Sequence, residues 1–142
     1  MNAAAAQAEH VGTVELRIPS KAEWVAVARL AVAAVANRLT FSVEEIEDLK
    51  LAIAEACTNC IQHASGTAFI DITCEALSDQ LRVTVRDHGI GTLAEAIKPR
   101  HLEDARVGGL GVFLIRSLMD EVEYTVDSQS GTNLVMTKRV SN

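Results

Sequence analysis

The chain has 142 residues, of which 49% are hydrophobic and 23% charged, and its formal net charge is −6. This composition favours one folded domain over a disordered chain, and the acidic balance without a basic run argues against direct nucleic-acid binding. No apolar run reaches membrane-spanning length and no secretory signal is visible, so we expect a cytoplasmic protein with no membrane contact, in which residues 1–11 form a flexible tail and residues 12–142 a single domain.

The N-terminal part predicts a strand followed by a helix. Residues Thr13–Ile18 alternate between apolar and polar side chains, which is typical of a strand. Ser20 and Glu23 have the spacing of a capping box, which predicts a helix from there to about Asn37. Alanine and valine surround much of this helix, which indicates either a doubly buried helix or one whose outer side meets another protein chain.

A second capping box, at Ser42 and Glu45, predicts the start of a long amphipathic helix. Its polar face carries Glu55 and Asn59 one turn apart. A carboxylate can accept a proton and an amide oxygen can bind a hard cation, so this pair could act on one ligand. A solvated helix face is the alternative explanation. The opposite face is apolar at three- and four-residue spacing: Val43, Ile46, Leu49, Ile53, Cys57 and Ile61.

Cys57 and Cys60 form a C-x-x-C pair within this helix. A metal site would need a second pair, and the chain offers only Cys74 and scattered histidines. A redox pair would lie at an exposed helix start rather than in the middle of a helix. We therefore interpret both cysteines as core residues of a protein in a reducing compartment.

The remaining sequence predicts two β-hairpins. Phe69–Cys74 and Leu81–Val85 are strand-like and are joined by a turn at residues 78–80. Val122–Val126 and Asn133–Thr137 form the second pair. Between the hairpins, the polar and aperiodic residues 92–107 predict a mobile loop, and a short apolar helix follows it. This order predicts an α+β two-layer sandwich with helices on one face of a mixed, mostly antiparallel sheet.

Two glycine clusters flank that loop. Asp87 ends a strand before Gly89 and Gly91, where a carboxylate could accept a hydrogen bond from an exocyclic amine; a plain turn is the alternative. Residues 108–111 precede the short helix, where backbone N–H groups can bind phosphate; a flexible hinge is the alternative. Neither cluster has the spacing of a Walker A loop or of a Rossmann fingerprint.

Taken in order, these stretches resemble the N, G1 and G2 boxes of the GHKL (Bergerat-fold) ATPases, and most closely the anti-sigma factor serine/threonine kinases of the RsbW type. The matching segments are Glu55-Ala56-Cys57-Thr58-Asn59, Asp87-x-Gly89-x-Gly91, Gly108-Gly109-Leu110-Gly111, Leu118-Met119-Asp120-Glu121-Val122, Gly131-Thr132 and Met136-Thr137-Lys138. The resemblance extends from about Pro19 to Lys138. It implies a Bergerat-type sandwich and a protein that binds a sigma factor and phosphorylates an anti-sigma factor antagonist with ATP and magnesium.

The resemblance also implies a role for each matching residue. Glu55 would be the general base, Asn59 the Mg²⁺ ligand, and Asp87 the contact to the adenine amine, with Thr132 nearby. Residues 92–107 would form a lid over ATP, with Arg106 as a contact to the γ-phosphate. The residues surrounding base and phosphates would be Gly89, Gly91, Gly108, Gly109, Leu110 and Gly111.

The sequence is also compatible with two other functions. One is a nucleotide-gated protein-binding switch that acts by sequestration with little kinase activity. A histidine kinase is the weaker alternative, because the chain has no room for a separate helical hairpin carrying a phosphoacceptor histidine. The alanine- and valine-rich helix further leads us to expect a homodimer, with Arg29 at or near a protein contact.

Overall fold

The computed structural model of the chain describes residues 8–63, 68–88, 111–127 and 131–141. The strands are β1 (His10–Pro19), β2 (Phe69–Leu77), β3 (Gln80–Asp87), β4 (Glu121–Asp127) and β5 (Gly131–Arg139). The helices are α1 (Val25–Ala36), α2 (Val43–His63) and α3 (residues 111–118), and a short 3₁₀ helix (Ala22–Trp24) precedes α1. Within these ranges, no helix is long and apolar enough to cross a membrane.

The five strands form one sheet in the order β1-β2-β3-β5-β4, and the four described pairings are all antiparallel. Both predicted hairpins are present, since β2 pairs with β3 and β4 pairs with β5. The predicted α+β fold class is therefore confirmed. β1 begins at His10, inside the segment predicted as a tail, and residues 1–7 of that segment lie outside the described residues.

The core lies between one face of the sheet and the helices α1 and α2. Along β2 and β3 every second side chain is buried, and the buried series of β3 ends at Asp87. From α2, the fully buried residues Leu49, Ile53 and Cys57 join this core. Because burying one large aliphatic side chain contributes about 1.5–3 kcal/mol, a slip of one residue in strand register would be costly. The alternation thus places the Asp87 side chain on the same face as the helices.

The three cysteines are free thiols buried in this core, as the sequence predicts for Cys57 and Cys60. Burial raises the pKa of the Cys57 thiol to about 12 and that of Cys74 to about 11. Thiols with such pKa values carry almost no thiolate at neutral pH and are poor nucleophiles.

The predicted capping box at the start of α2 forms. The backbone N–H of Ser42 donates to Glu45 Oε1 at 2.8 Å, and the N–H of Glu45 donates to Ser42 Oγ at 3.1 Å. The hydrogen bond from the Ser42 backbone lowers the pKa of Glu45, with smaller contributions from the Ser42 hydroxyl and from Ser141. Two backbone donors at the helix start are thereby satisfied.

The capping box predicted at Ser20 and Glu23 is wrong. The Ser20 N–H donates to the carbonyl of Ala68 at 3.1 Å, which extends the β1–β2 ladder by one residue. The chain is still extended at Lys21, and the side chains at the two observed helix starts, Lys21 and Trp24, make no capping bond. Ser20 therefore pairs with the sheet instead of forming the local capping motif, and the helix begins too far along the chain for Ser20 to cap it.

Candidate functional site

Helix α2 carries the first two candidate residues, Glu55 and Asn59, on its outer side. Both side chains are half-buried, whereas Ile53 and Cys57 of the opposite face are fully buried. Residues four apart on a helix lie one above the other, so the carboxylate and the amide share one line along α2. They can therefore reach the same ligand without any movement of the backbone.

Asn59 lies directly against the first described residue of α3. A Cβ added to Gly111 would stand 3.0 Å from Asn59 Oδ1 and 3.1 Å from Asn59 Nδ2. Such contacts are tighter than those that side chains normally make, so the glycine permits this close approach of the two helices. The structure thus brings together two candidate residues that are far apart in sequence.

Asp87 occupies the last position of β3 and is 1% exposed. The backbone N–H of Thr132 on β5 donates to Asp87 Oδ1 at 3.2 Å, and the Thr132 hydroxyl donates to Asp87 Oδ2. Burying a carboxylate is costly unless hydrogen bonds compensate it, and Thr132 supplies two. The structure therefore joins Asp87 and Thr132, while their contact with a nucleotide stays a prediction.

Gly131 closes the other side of this carboxylate. Its φ is +96°, which only glycine adopts readily, and an added Cβ would lie 2.2 Å from the carbonyl oxygen of Asp87 and 2.8 Å from its Oδ1. Residue 131 must therefore be glycine for Asp87 and Thr132 to meet. Both the positive φ of Gly131 and its close packing against Asp87 require glycine at this position.

Cys60 is buried close to this site, in the core where the sequence placed it. Burial is the largest cause that raises the pKa of its thiol well above the usual range, and the nearby charge of Asp87 raises that pKa further. The sequence contains a partial indication of this proximity, because Cys60 follows Asn59 on α2 and Asp87 is an inward-facing position of β3. To use that indication, one must know that α2 covers the end of β3.

The opposite face of the sheet carries a charged cluster that the sequence did not reveal. Arg17 on β1 binds Asp71 on β2 through Nε and Nη2, at 2.7 and 3.0 Å, and its guanidinium lies 3.8 Å from the centre of the Phe69 ring. His88 Nε2 lies 2.7 Å from Asp71 Oδ2. The hydrogen bond from Arg17 is the largest cause that lowers the pKa of Asp71, and His88 adds to it. Because His88 follows Asp87, this cluster holds the chain where β3 ends.

Several candidate residues lie outside the described ranges, together with the whole of the predicted lid at 92–107. They are Gly89, Gly91, Arg106, Gly108, Gly109 and Leu110. Their roles stay predictions.

The described residues fit a weakly held cation better than a dedicated metal centre. Within the described ranges, no group of three or more His, Cys, Asp or Glu side chains is arranged to hold a metal ion. Mg²⁺ commonly takes only one or two protein oxygens and completes its shell with phosphate and water. The amide of Asn59 beside the start of α3 suits this mode, because the N-terminal end of a helix favours phosphate.

Comparison with known proteins finds a matching protein family. Residues 18–138 match the model of the histidine kinase-like ATPase domain. Serine-protein kinase RsbW of Halalkalibacterium halodurans is 40% identical over 137 residues, which cover 89% of this chain and 82% of that protein. RsbW of Bacillus cereus is 38% identical over 142 residues, which cover 93% of this chain and 88% of the relative.

Solved structures are similar in fold. A crystal structure of the RsbU and RsbW domains of a Mycobacterium tuberculosis protein gives a TM-score of 0.70 at 15% identity, over 93% of this chain and 33% of that chain. The chain thus spans about a third of that longer protein. The histidine kinase domain of a blue-light activated kinase from Erythrobacter litoralis gives 0.52 at 23% identity, over 87% of this chain and 62% of the other.

Proposed function

We propose that this chain, which belongs to the histidine kinase-like ATPase domain family and within it to the serine-protein kinases of the RsbW type, is a cytoplasmic anti-sigma factor. It is a protein serine/threonine kinase. Its acceptor is an anti-sigma factor antagonist, which it phosphorylates with ATP, and its second partner is a sigma factor that it holds by direct binding.

The contact between Asn59 and Gly111 carries this proposal. It sets an amide oxygen beside the helix start that follows the second glycine cluster, one turn from the Glu55 carboxylate. Phosphoryl transfer depends mainly on positioning and on charge neutralisation; these residues would supply the positioning, and a bound cation the neutralisation. Asn59 would hold Mg²⁺, which neutralises phosphate charge when bound.

Glu55 would accept the proton of the acceptor hydroxyl as its oxygen attacks the γ-phosphorus. The bond from the γ-phosphorus to the bridging oxygen breaks, ADP leaves with that electron pair, and a phosphoserine or phosphothreonine forms. A half-buried carboxylate at the outer side of α2 can reach both nucleotide and acceptor. Asp87, held by Thr132, would accept a hydrogen bond from the adenine amine at the other end of ATP.

Phosphate transfer tests this proposal directly. The purified chain is incubated with labelled ATP, magnesium and a candidate anti-sigma factor antagonist from the same organism, and label on the antagonist is measured. Glu55→Gln should reduce the rate by about 10²- to 10⁴-fold while ATP still binds. The matched control is Glu47→Gln, an exposed carboxylate on the same helix, which should transfer at the wild-type rate. Equal rates in wild type and Glu55→Gln would remove Glu55 from the role of base.

One observation favours the second candidate, a nucleotide-gated switch that acts by sequestration. The outer side of α1 exposes large apolar side chains, with Leu30 68% and Val27 38% exposed, which suits a protein partner. Absence of any transfer to the antagonist, together with ATP-dependent binding of a sigma factor, would select this alternative over the kinase.

A further inference from the structure

We infer that Lys138 is a positioning residue of the nucleotide site, which anchors the C-terminal end of α3 so that the start of this helix stays against Asn59. The inference rests on the proposed function, in which that helix start lies at the phosphates of ATP. It gives a role to the segment Met136-Thr137-Lys138, which resembles the RsbW-type kinases but has no part in the proposed chemistry.

Lys138 continues the inward-facing series of β5, in which Leu134 and Met136 are buried. Its side chain is only 12% exposed, and its Nζ donates to the carbonyl oxygen of Leu118 at 2.6 Å. Leu118 is the last residue of α3, where backbone carbonyls have no partner within the helix. The ammonium therefore caps α3, and its positive charge is favourable at the C-terminal end of a helix.

The same ammonium links α3 to α2. Lys138 Nζ lies 3.8 Å from Asp48 Oδ2, which belongs to the N-terminal half of α2. Burying an ammonium is costly unless polar groups compensate it, and here two separate elements each supply an oxygen. Because the Asp48 side chain is 42% exposed, the carbonyl of Leu118 is the stronger of the two contacts.

The chain that leaves α3 is bound to β5 on both sides of Lys138. The backbone N–H of Asp120 donates to the carbonyl of Thr137 at 2.9 Å, and the N–H of Arg139 donates to Asp120 Oδ2 at 2.6 Å. These bonds fix the connection from α3 to β4 on the two residues that flank Lys138. The lysine therefore projects from a rigid part of the sheet and can hold α3 in one place.

α3 is thus fixed against α2 near both of its described ends. Gly111 meets Asn59 with no room for a side chain, and Lys138 joins Leu118 to Asp48. Because Asn59 lies late in α2 and Asp48 lies early, the two helices run in opposite directions. Residues 111–118 span only about 12 Å, so a shift at the end of α3 is transmitted to its start. Loss of the lysine should therefore disturb the phosphate end of the site.

Titration calorimetry with ATP and magnesium tests this role. Lys138→Met keeps the apolar stem but removes the ammonium, and it should weaken ATP binding by about 3- to 10-fold. Lys138→Arg keeps a charged donor and should recover most of the affinity. Arg139→Met is the matched control, because it removes the neighbouring cation, whose side chain binds Glu121 on β4. It should bind ATP like the wild type.

Two comparisons separate positioning from a general loss of stability. Ser42→Ala weakens the cap of α2, and the folded variant should still bind ATP like the wild type. In a double-mutant cycle, the effects of Lys138→Met and Gly111→Ala on ATP affinity should not be additive, because both changes displace the start of α3. If Lys138→Met does not fold, Lys138→Gln removes the charge in the same comparisons.

Hydrogen exchange provides a readout without nucleotide. The backbone amides of residues 112–118 should exchange faster in Lys138→Met than in Arg139→Met, because only the first variant releases the end of α3. Equal exchange in the two variants would overturn the inference. So would equal ATP affinities in these variants, or additive effects of Lys138→Met and Gly111→Ala.

The inference and the proposed function fail on different results. If Gly111→Ala and Asn59→Ala both bind ATP and magnesium like the wild type, the phosphate end of the proposed site is wrong, and the role of Lys138 fails with it. If either variant weakens binding and Lys138→Met does not, the inference about Lys138 alone is wrong.

Discussion

Asn59 Oδ1 lies 3.0 Å from the point that a Cβ on Gly111 would occupy, so the C-terminal part of α2 and the first described residue of α3 meet with no room for a side chain between them. Each residue belongs to a different predicted motif. Their contact brings two weak local patterns together at the place where we propose that ATP binds.

We expect Gly111→Ala to weaken ATP binding by about tenfold, because the methyl group forces the Asn59 amide out of place. Gly12→Ala on β1 is the matched control, since a Cβ there meets nothing within 4 Å, and it should bind ATP like the wild type. Titration calorimetry measures both affinities. Wild-type affinity in Gly111→Ala would show that the contact does not matter for binding.

The amide of Asn59 should matter only when magnesium is present. We expect Asn59→Ala to lose most of the gain in ATP affinity that magnesium gives over a chelator, because the proposed oxygen ligand is absent. The half-buried position predicts little loss of folding stability, which thermal unfolding checks. Gln62→Ala, at an exposed position of the same helix, serves as the control. An undiminished magnesium effect in Asn59→Ala would contradict the metal-ligand role.

The two predicted capping boxes provide a matched pair for stability. Ser42→Ala removes the hydroxyl that accepts the Glu45 N–H, and it should lower the free energy of unfolding by about 1 kcal/mol. Ser20→Ala changes the same residue type where no box forms, and it should cost clearly less. Urea titrations of both variants give the comparison. Equal losses would mean that the hydroxyl of Ser42 contributes nothing specific.

Much of the fold could be predicted because the period of hydrophobic residues determines which face is buried. β3 alternates through Leu81, Val83 and Val85, and α2 carries its apolar stripe, so both elements were placed correctly. The start of α1 was misplaced for a physical reason. The Ser20 N–H pairs with Ala68, a partner distant in sequence that no local motif reveals.

The site was predictable to the extent that its residues lie in short motifs. Asp87 and Thr132 were paired by family resemblance, and the structure gives the reason, a buried carboxylate with two donors from one threonine. The proximity of Cys60 to the charge of Asp87 could not be predicted, because only the packing of α2 over the end of β3 brings the two residues near each other. Local sequence patterns do not predict contacts between elements that are distant in the chain.

The cluster at Asp71 predicts a dependence of stability on pH. The hydrogen bond from Arg17, followed by that from His88, lowers the pKa of Asp71 in the folded state. A carboxyl group with a depressed folded pKa stabilises the fold above its unfolded pKa and loses this contribution as the pH falls through the folded value. Asp71→Asn should therefore be less stable than the wild type at pH 7, and the difference should shrink as the pH falls below the ordinary aspartate pKa of about 3.9 and through the lower folded value.

Chemical unfolding of both proteins at several pH values measures this difference. Asp79→Asn, an equal charge change in the exposed turn between β2 and β3, controls for net charge. A stability gap between wild type and Asp71→Asn that persists undiminished in acid would contradict the assigned cause.

The last prediction concerns the outer side of α1. Its inner side is buried through Ala28, Val32 and Val35, while Arg29 and Leu30 are exposed, so the described part of this chain does not cover both sides of the helix. Among the described residues, nothing buries the outer side of this helix as the doubly buried alternative would require. An exposed apolar side chain beside an arginine has the composition of a protein contact, where arginine is enriched.

We therefore expect a homodimer that binds a sigma factor, with Arg29 at or near a protein contact. Arg29→Glu should weaken binding of the sigma factor or the antagonist and leave ATP affinity unchanged, because a charge reversal at a contact opposes the partner's complementary charge. Arg38→Glu makes the same change at an exposed residue beyond the end of α1, and it should bind both partners normally. Sedimentation and surface binding measure the two parts. A monomer at micromolar concentration, together with partner affinity unchanged in Arg29→Glu, would defeat the claim.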